Sequence, residues 1–419
     1  MGMFDVSASS TRTMLRSTYH RSGKDMNKSM SHEQPQFGDG ITAMVPREKM
    51  CGSAVKLRDT YRRKSYAAFY HKTFGLWMCL DTWYEQGLGR TADLNDFFMF
   101  DEPGYHELGQ LGWCESAFDP VFEERIVEDR GQHELVQDFA GREVLYFKGR
   151  RQGFMPEYVG HPVKDLKTWQ EQVKWRLDPE TGTRYTDLQQ RMADAKAAAM
   201  KGLMIQQNLI GGYMYLRSLI GPEGVMYAFH DQPELIHDCM RTWLRLADGV
   251  IARHQQYITL DEIYLAEDIC YNHGPLISPD AIKEFLFPYY QQLICNANSR
   301  QLDPNRKLYI QVDTDGNCVP IIDLYREGIG MDMLDPFEVA SGCDVLQIGR
   351  DYPNLIMSGG IDKRVLAQDT DTIDRYLESI LPVMRRRGGY IPTCDHGVPP
   401  EVSWENYLHY RKRCIEYGG

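Results

Sequence analysis

The ten cysteines, at 51, 79, 114, 239, 270, 295, 318, 343, 394 and 414, are never closer than twenty residues. Without a CxxC pair the chain has neither a zinc knuckle nor a dithiol switch. Scattered cysteines of this kind read as small buried hydrophobes in a reducing compartment. No run of 18 apolar residues occurs, which excludes a membrane-spanning helix. The first residues, MGMFDVSASSTRTMLRS, hold no apolar signal core, and Val6 stands where a myristoylation signal has Ser or Thr. Basic blocks are missing as well: 47 Lys and Arg face 59 Asp and Glu, a net charge of −12. Gripping a phosphate backbone needs clustered positive charge, so neither nucleic acid nor membrane is expected as a partner. A cytoplasmic protein is expected. Neither GxGxxG nor GxxxxGK[ST] is found, which removes the phosphate-binding turn of an open, doubly wound sheet.

What is present is ordinary globular material, 42% hydrophobic and 25% charged over 419 residues. Residues 1–45 are rich in Ser, Thr, Lys, Arg and Met without a sustained period and read as a polar arm. Residues 46–130 read as a helical, aromatic-rich extension: fourteen of the residues from 61 to 118 are Phe, Tyr or Trp. Such rings serve as core and dimer surface, or as a lid lending apolar walls to a substrate; Trp83 and Tyr84 are candidates for the second role, and a homodimer is expected.

Residues 142–163 look like two strands around a Gly-containing turn, followed by a long helical stretch over 165–201. From there short apolar runs recur at 203–209, 263–266, 308–312, 331–334, 345–348, 355–358 and 389–391, each followed by a helix-length amphipathic segment. Alternation of this kind predicts parallel βα units. With an eighth strand drawn from 144–147, or from a segment that shows no such run, the natural closure is an α/β fold of the (β/α)8 TIM barrel type over 131–419.

Barrel chemistry is built just after the strands, where the βα loops converge. The residues there are polar: Gln206, Gln207 and Asn208; Glu267 and Asp268; Asp313, Asp315 and Asn317; Asp335 and Glu338; Gly359, Gly360 and Asp362; Asp395 and His396. Acidic residues after strands commonly cap the next helix, and Asp335, Asp362 and Asp280 are expected to be caps or loop anchors rather than catalysts. Glu267, Asp313, Asp315 and His396 together suggest more. Carboxylates with one imidazole suit a divalent ion, zinc above others; without metal, crowded carboxyls raise each other's pKa until one serves as a general acid.

At these residues the chain resembles the uroporphyrinogen decarboxylase superfamily. The resemblance is carried by DEIYLAEDICYNHGPLISPDAIKEFLFP from residue 261, DTDGN from 313, MLDPFEVASGCDVLQI from 333, SGGID from 358 and GGYIPTCDHGVPPEVSWENY from 388. It implies a (β/α)8 barrel with its site at the mouth. The superfamily holds decarboxylases and corrinoid-dependent methyltransferases. The Arg-rich MRQAGRY motif of the decarboxylases is missing, and acidic strand ends repel a polycarboxylate substrate. The methyltransferase branch has HxCGN after a strand and a late Cys; aligned on Gly316-Asn317 and Glu405-Asn406, those ligand positions are Asp313, Asp315 and His396. A harder donor set of this kind suits oxygen or nitrogen substrates rather than thiols.

The resemblance therefore implies a substrate-side methyltransferase that moves a methyl group from a methoxylated, aromatic compound or a methylamine to Co(I) of a corrinoid. No DxHxxG is present, so the corrinoid is expected on a separate protein. Glu267, Asp313 and His396 are expected to hold a metal, with these three and Asp315 catalytic. Gln206, Asn208, Asn317, Trp83 and Tyr84 are expected to bind substrate. The alternatives are a decarboxylase, a barrel glycoside hydrolase with two carboxyls flanking a sugar, and a non-catalytic metabolite binder.

Overall fold

The computed structural model describes residues 44–151 and 156–419, so nearly all of the polar arm lies outside the described residues. The strands in chain order are β1 (Tyr105–Glu107), β2 (Arg125–Arg130), β3 (His133–Gln137), β4 (Glu143–Phe147), β5 (Glu157–Gly160), β6 (Met204–Ile210), β7 (Glu262–Ala266), β8 (Cys270–Tyr271), β9 (Gly274–Pro275), β10 (Tyr309–Asp313), β11 (Met333–Asp335), β12 (Ile356–Ser358) and β13 (Tyr390–Ile391). Seven of them form one curled parallel sheet in the order β1-β6-β7-β10-β11-β12-β13, while β2 to β5 make a separate antiparallel sheet. Helices connect the parallel strands, giving a barrel of the TIM type. Extended residues 69–72 contact both edges of the seam between β13 and β1. Phe69 meets Tyr390 edge-on with ring centroids 6.1 Å apart, and the Tyr70 hydroxyl accepts a 2.9 Å hydrogen bond from Gly104 N.

Period two decides what faces the lumen. In β10, Ile310 and Val312 join the large core between sheet and helices, whereas Tyr309 packs with the inward residues Tyr105, Met204, Met333, Ile356 and Ile391. Leu57 and Tyr61 of α1 (Gly52–Tyr61) complete that cluster, so α1 plugs the lower end of the barrel. Arg58 fixes the plug: its guanidinium donates to Gly202 O at 2.8 Å and Leu203 O at 3.0 Å and pairs with Asp261 at 3.2 Å. Arg306 takes the other Asp261 oxygen at 2.5 Å. Removing either partner of such a buried pair strands a charge.

Three expectations are corrected. Residues 345–348 are not a strand: they begin α2 (Val345–Asp351), whose N-terminal Leu346 and Gln347 amides donate to the Asp344 carboxylate. Residues 144–147 belong to the antiparallel sheet as β4, and the additional parallel strand is β1. The stretch 165–201 is not one helix, because Pro179 and Gly182 interrupt it before the regular helix Leu188–Met200. The division drawn at residue 130 falls between the paired strands β2 and β3. No helix among the described residues is long and apolar enough to cross a membrane.

Candidate functional site

The polar strand ends separate into two sets according to the face on which they emerge. Glu267 lies one residue past inward-facing Ala266 and so points away from the lumen. It is wholly buried among helices, where it accepts from Tyr290 Oη at 2.6 Å, Tyr325 Oη at 3.2 Å and Tyr213 N at 3.3 Å. Burial pushes its carboxyl up to about 7 against those hydrogen bonds. Gln207 likewise faces outward and bonds the buried His254 at 2.8 Å.

The inward set lines a chamber of about 60 Å³ whose walls include Tyr61, Lys72, Glu107, Trp113, Gln206, Tyr264 and Gln311. Tyr61 Oη and Gln206 Nε2 donate to Glu262 at 2.5 and 2.6 Å, and Gln311 Nε2 donates to Asp335 at 2.7 Å. Lys72 Nζ lies 3.8 Å from Asp335. Asp313 and Asp335 occupy paired positions on β10 and β11. Burial, then Asp335 and Asp315, hold the Asp313 carboxyl well above the usual range. Asp335 is raised by burial too, against the opposing pull of Lys72 and Gln311. Asp335 is thus a lumen residue and caps no helix, whereas Asp362 does cap, accepting from Arg364 N at 2.9 Å. Before the helix that contains Asp280, the cap is Ser278.

Above the chamber, Asp315, Glu338 and His396 bring one ligand atom each to within 4.8 Å of one another. His396 Nε2 stands 3.3 Å from Asp315 Oδ1. Burial opposes a charge on that imidazole, but the hydrogen bond and charge of Asp315, with Glu338 behind, raise its pKa on balance. Glu338 Oε2 is aimed by Gly316 N at 3.0 Å and Ser341 Oγ at 3.3 Å. Gly316 has φ +76°, and a Cβ there would come within 2.6 Å of the Tyr271 backbone, so this loop requires glycine. Asp395, fully buried, accepts from Val339 N at 3.0 Å and Lys363 N at 3.3 Å and ties three mouth loops together. Lys363 Nζ is 3.8 Å from Glu338 and 3.7 Å from Asp395.

The donor set that the structure assembles therefore differs from the expected one. His396 is common to both, while Asp315 and Glu338 stand in for Glu267 and Asp313: strand parity turns Glu267 away from the lumen, and Asp313, though inward, pairs with Asp335 and does not converge with the mouth cluster. One imidazole nitrogen and two carboxylate oxygens fit a divalent ion such as zinc, manganese or iron.

The expected substrate residues are dispersed. Gln206 lines the chamber. Asn208 accepts from Gly109 N at 3.1 Å and reaches Glu107 at 3.4 Å. Asn317 braces its own loop, accepting from Val319 N. Trp83 is wholly buried, packs on Phe98 and Tyr407 and donates to Val402 O at 2.7 Å, which makes it core. Tyr84 packs on that core under Arg90. The ring beside the mouth is Trp77, 38% exposed and edge-on to His396 at 6.3 Å. Sequence reasoning did not single out Lys72, Glu107, Trp113 or Tyr264. Period-two phase from Glu262 would have found Tyr264; Lys72 lies outside any strand or helix and left no periodic signal.

The family model for uroporphyrinogen decarboxylase matches residues 207–417. Two curated uroporphyrinogen decarboxylases are similar to the chain. That of Hydrogenobaculum sp. is 23% identical over 141 residues, covering 33% of this chain and 38% of that protein. That of Geotalea daltonii is 28% identical over 145 residues, covering 32% and 37%. The chain thus spans little more than a third of the length of these relatives. Among solved structures, a methyltransferase from Methanosarcina mazei superposes with a TM-score of 0.53 at 13% identity, covering 88% of this chain and 99% of that one.

Proposed function

The chain belongs to the uroporphyrinogen decarboxylase family, and from that premise we propose that it is a substrate-side methyltransferase. It moves a methyl group from a methyl ether or a methylamine to Co(I) of a corrinoid held by a separate protein. Family and barrel leave the reaction open, so the reading rests on the mouth, where one imidazole and the carboxylates of Asp315 and Glu338 converge. A polycarboxylate substrate is repelled by those carboxylates, which disfavours decarboxylation of a tetrapyrrole.

We assign Asp315, Glu338 and His396 as the residues that hold a divalent ion. Bound there, the ion supplies Lewis acidity to the heteroatom that loses the methyl group. The rest falls to the chain itself. Asp395 and Gly316 fix the loops that carry Glu338 and Asp315, so that the donors are placed before substrate arrives. Lys363 limits the negative charge that accumulates beside Glu338. Tyr264 and Trp113, stacked with centroids 4.9 Å apart, wall the donor from water, and Asp313 stands where a proton can pass to a leaving oxygen.

The test is to mix the purified chain, loaded with zinc, with Co(I) cobalamin and a panel of methyl ethers and methylamines. Methylcobalamin formation with one donor class, lost in His396→Ala, supports the reading. No methylation with any donor would end it.

A further inference from the structure

Folding assembles a thiol pair that the cysteine spacing conceals. Cys318 and Cys343 lie 25 residues apart in the chain, yet their sulfurs stand 3.7 Å from each other. A CxxC motif places both thiols in one loop; here one comes from the loop after β10 and the other from the loop after β11, the same two loops that carry Asp315 and Glu338. Neither thiol is exposed, but the cover is thin. Gly342 and Asp344, on either side of Cys343, are exposed, and a Cβ added at Gly342 would meet no atom within 4 Å. The two thiols are also unlike. The Cys318 thiol, with the main-chain amides of residues 318 and 319, holds the Cys343 thiol below its usual pKa against burial and Glu338. Cys343 and burial hold the Cys318 thiol well above its own. A stabilised thiolate beside a protonated thiol is the arrangement of an attacking and a resolving cysteine.

Bond formation requires the sulfurs to approach by about 1.7 Å, and the two loops are not equally free to supply it. The Cys318 loop is held: Asn317 N donates to Tyr271 O at 2.9 Å, and Gly316 sits too close to the Tyr271 backbone to leave room for a Cβ. The segment 339–343 therefore has to move, and its left-handed Gly342, at φ +94°, has open space around it. That segment is also what holds Glu338. Ser341 Oγ donates to its carboxylate at 3.3 Å, and Cys343 N donates to its main-chain oxygen at 3.2 Å. Drawing Cys343 toward Cys318 pulls on both contacts, and without Glu338 the mouth keeps only two of its three donors.

We propose that Cys318 and Cys343 are an oxidant-responsive dithiol, whose disulfide draws Glu338 out of the metal-binding mouth. The oxidant is a peroxide. The Cys343 sulfur attacks one peroxide oxygen, the O–O bond breaks, and hydrogen peroxide leaves a sulfenic acid and one water. The Cys318 sulfur then attacks the sulfenic sulfur, the S–O bond breaks, and the second water departs with the Cys318 proton. Two thiols have lost two electrons and the peroxide has gained them; a phosphine or thiol reductant returns them. The disulfide itself does not depend on the proposed methyl transfer. Its effect on metal rests on the assignment of Asp315, Glu338 and His396 as the ligands.

The test treats the full chain, reduced and zinc-free, with hydrogen peroxide and maps its peptides by mass spectrometry. A Cys318–Cys343 crosslink that a phosphine removes is expected. The Kd for zinc should rise at least tenfold in the crosslinked protein and return after reduction. Cys343→Ser lacks the attacking sulfur and should bind zinc as the wild type does, before and after peroxide. Cys318→Ala lacks the resolving thiol and should accumulate sulfinic acid at Cys343. Circular dichroism checks that the variants are folded, and either one alone decides the assignment. A crosslink to Cys270 or Cys295 instead, sulfinic acid in place of a disulfide in the wild type, or unchanged zinc affinity in fully crosslinked protein would overturn the inference. Failure of the two readings is separable: a reduced chain that binds no zinc ends the metal assignment, while the peptide map still decides the dithiol.

Discussion

Asp313 and Asp335 stand side by side on adjacent parallel strands, and the Lys72 ammonium lies 3.8 Å from the second of them. Lys72 keeps its proton more firmly than usual: burial opposes the charge, but Tyr105, Asp335 and Asp313 outweigh it. Lys72→Met should therefore reduce stability by about 3 kcal/mol at pH 8, the scale for stranding a buried charge. The loss should be smaller at pH 5 than at pH 8, because acid favours the uncharged form of an Asp335 carboxyl already raised by burial, and that form needs no counter-ion. Denaturant titrations at the two pH values check this, and equal losses would show that Lys72 and Asp335 are not coupled.

Glu262 sets a second pH dependence. Burial pushes it up to about 8, against the hydrogen bonds from Tyr61 and Gln206. With the folded value above the unfolded one, its contribution to stability is complete below about pH 4.5 and is lost as pH rises through 8, at up to about 1.4 kcal/mol per pH unit. Glu262→Gln, in which Gln206 can turn its free oxygen to the new amide, should flatten this slope. Melting temperatures at pH 6 and pH 9 provide the comparison; an unchanged slope would mean that Glu262 is ionised throughout.

His396 and Glu267 should separate cleanly in metal content. His396→Ala and Glu338→Ala are expected to lose bound zinc by elemental analysis. Glu267→Gln should keep it while losing about 1–3 kcal/mol, because its partners Tyr290, Tyr325 and Tyr213 N are left imperfectly paired in the core. Zinc loss in Glu267→Gln with stability intact would restore Glu267 to the ligand set.

Trp83 and Trp77 make a matched pair of a different kind. Truncating the buried Trp83 to Ala should destabilise by about 3–5 kcal/mol. Trp77→Ala, at a partly exposed ring beside His396, should leave the melting temperature within a degree or two but change the KM for the methyl donor or the docking partner. Reversed effects would place the substrate wall on the other ring.

Much of this architecture is legible in the amino acids, and the failures have identifiable causes. The runs that became β6, β7, β10, β11, β12 and β13 are dense in apolar residues because parallel strands are covered by helices. Residues 345–348 mimic that density, yet Asp344 before them and the amides it caps mark a helix start. The strand β1, with the sequence YHE, is too short and too polar to announce itself. Glu267 and Asp315 look equivalent as acidic residues after strands; only strand phase distinguishes them, since Glu267 follows inward-facing Ala266 and emerges on the helix side. Glu338 and His396 are nearly sixty residues apart in the chain, and their meeting depends on the loop buckle at Asp395, which leaves no local pattern.

The α1 plug, pinned by Arg58 to Asp261 and the backbone below β6, makes the lumen a room with one door. Whatever enters past Trp77 and His396 must depart the same way. On the proposed methyl transfer, an acceptor seated over the mouth would lock in the demethylated product, and turnover would become an ordered exchange in which the partner undocks before that product escapes. Widening the lower end, rather than altering the mouth, is the change that would free product release from the partner's departure.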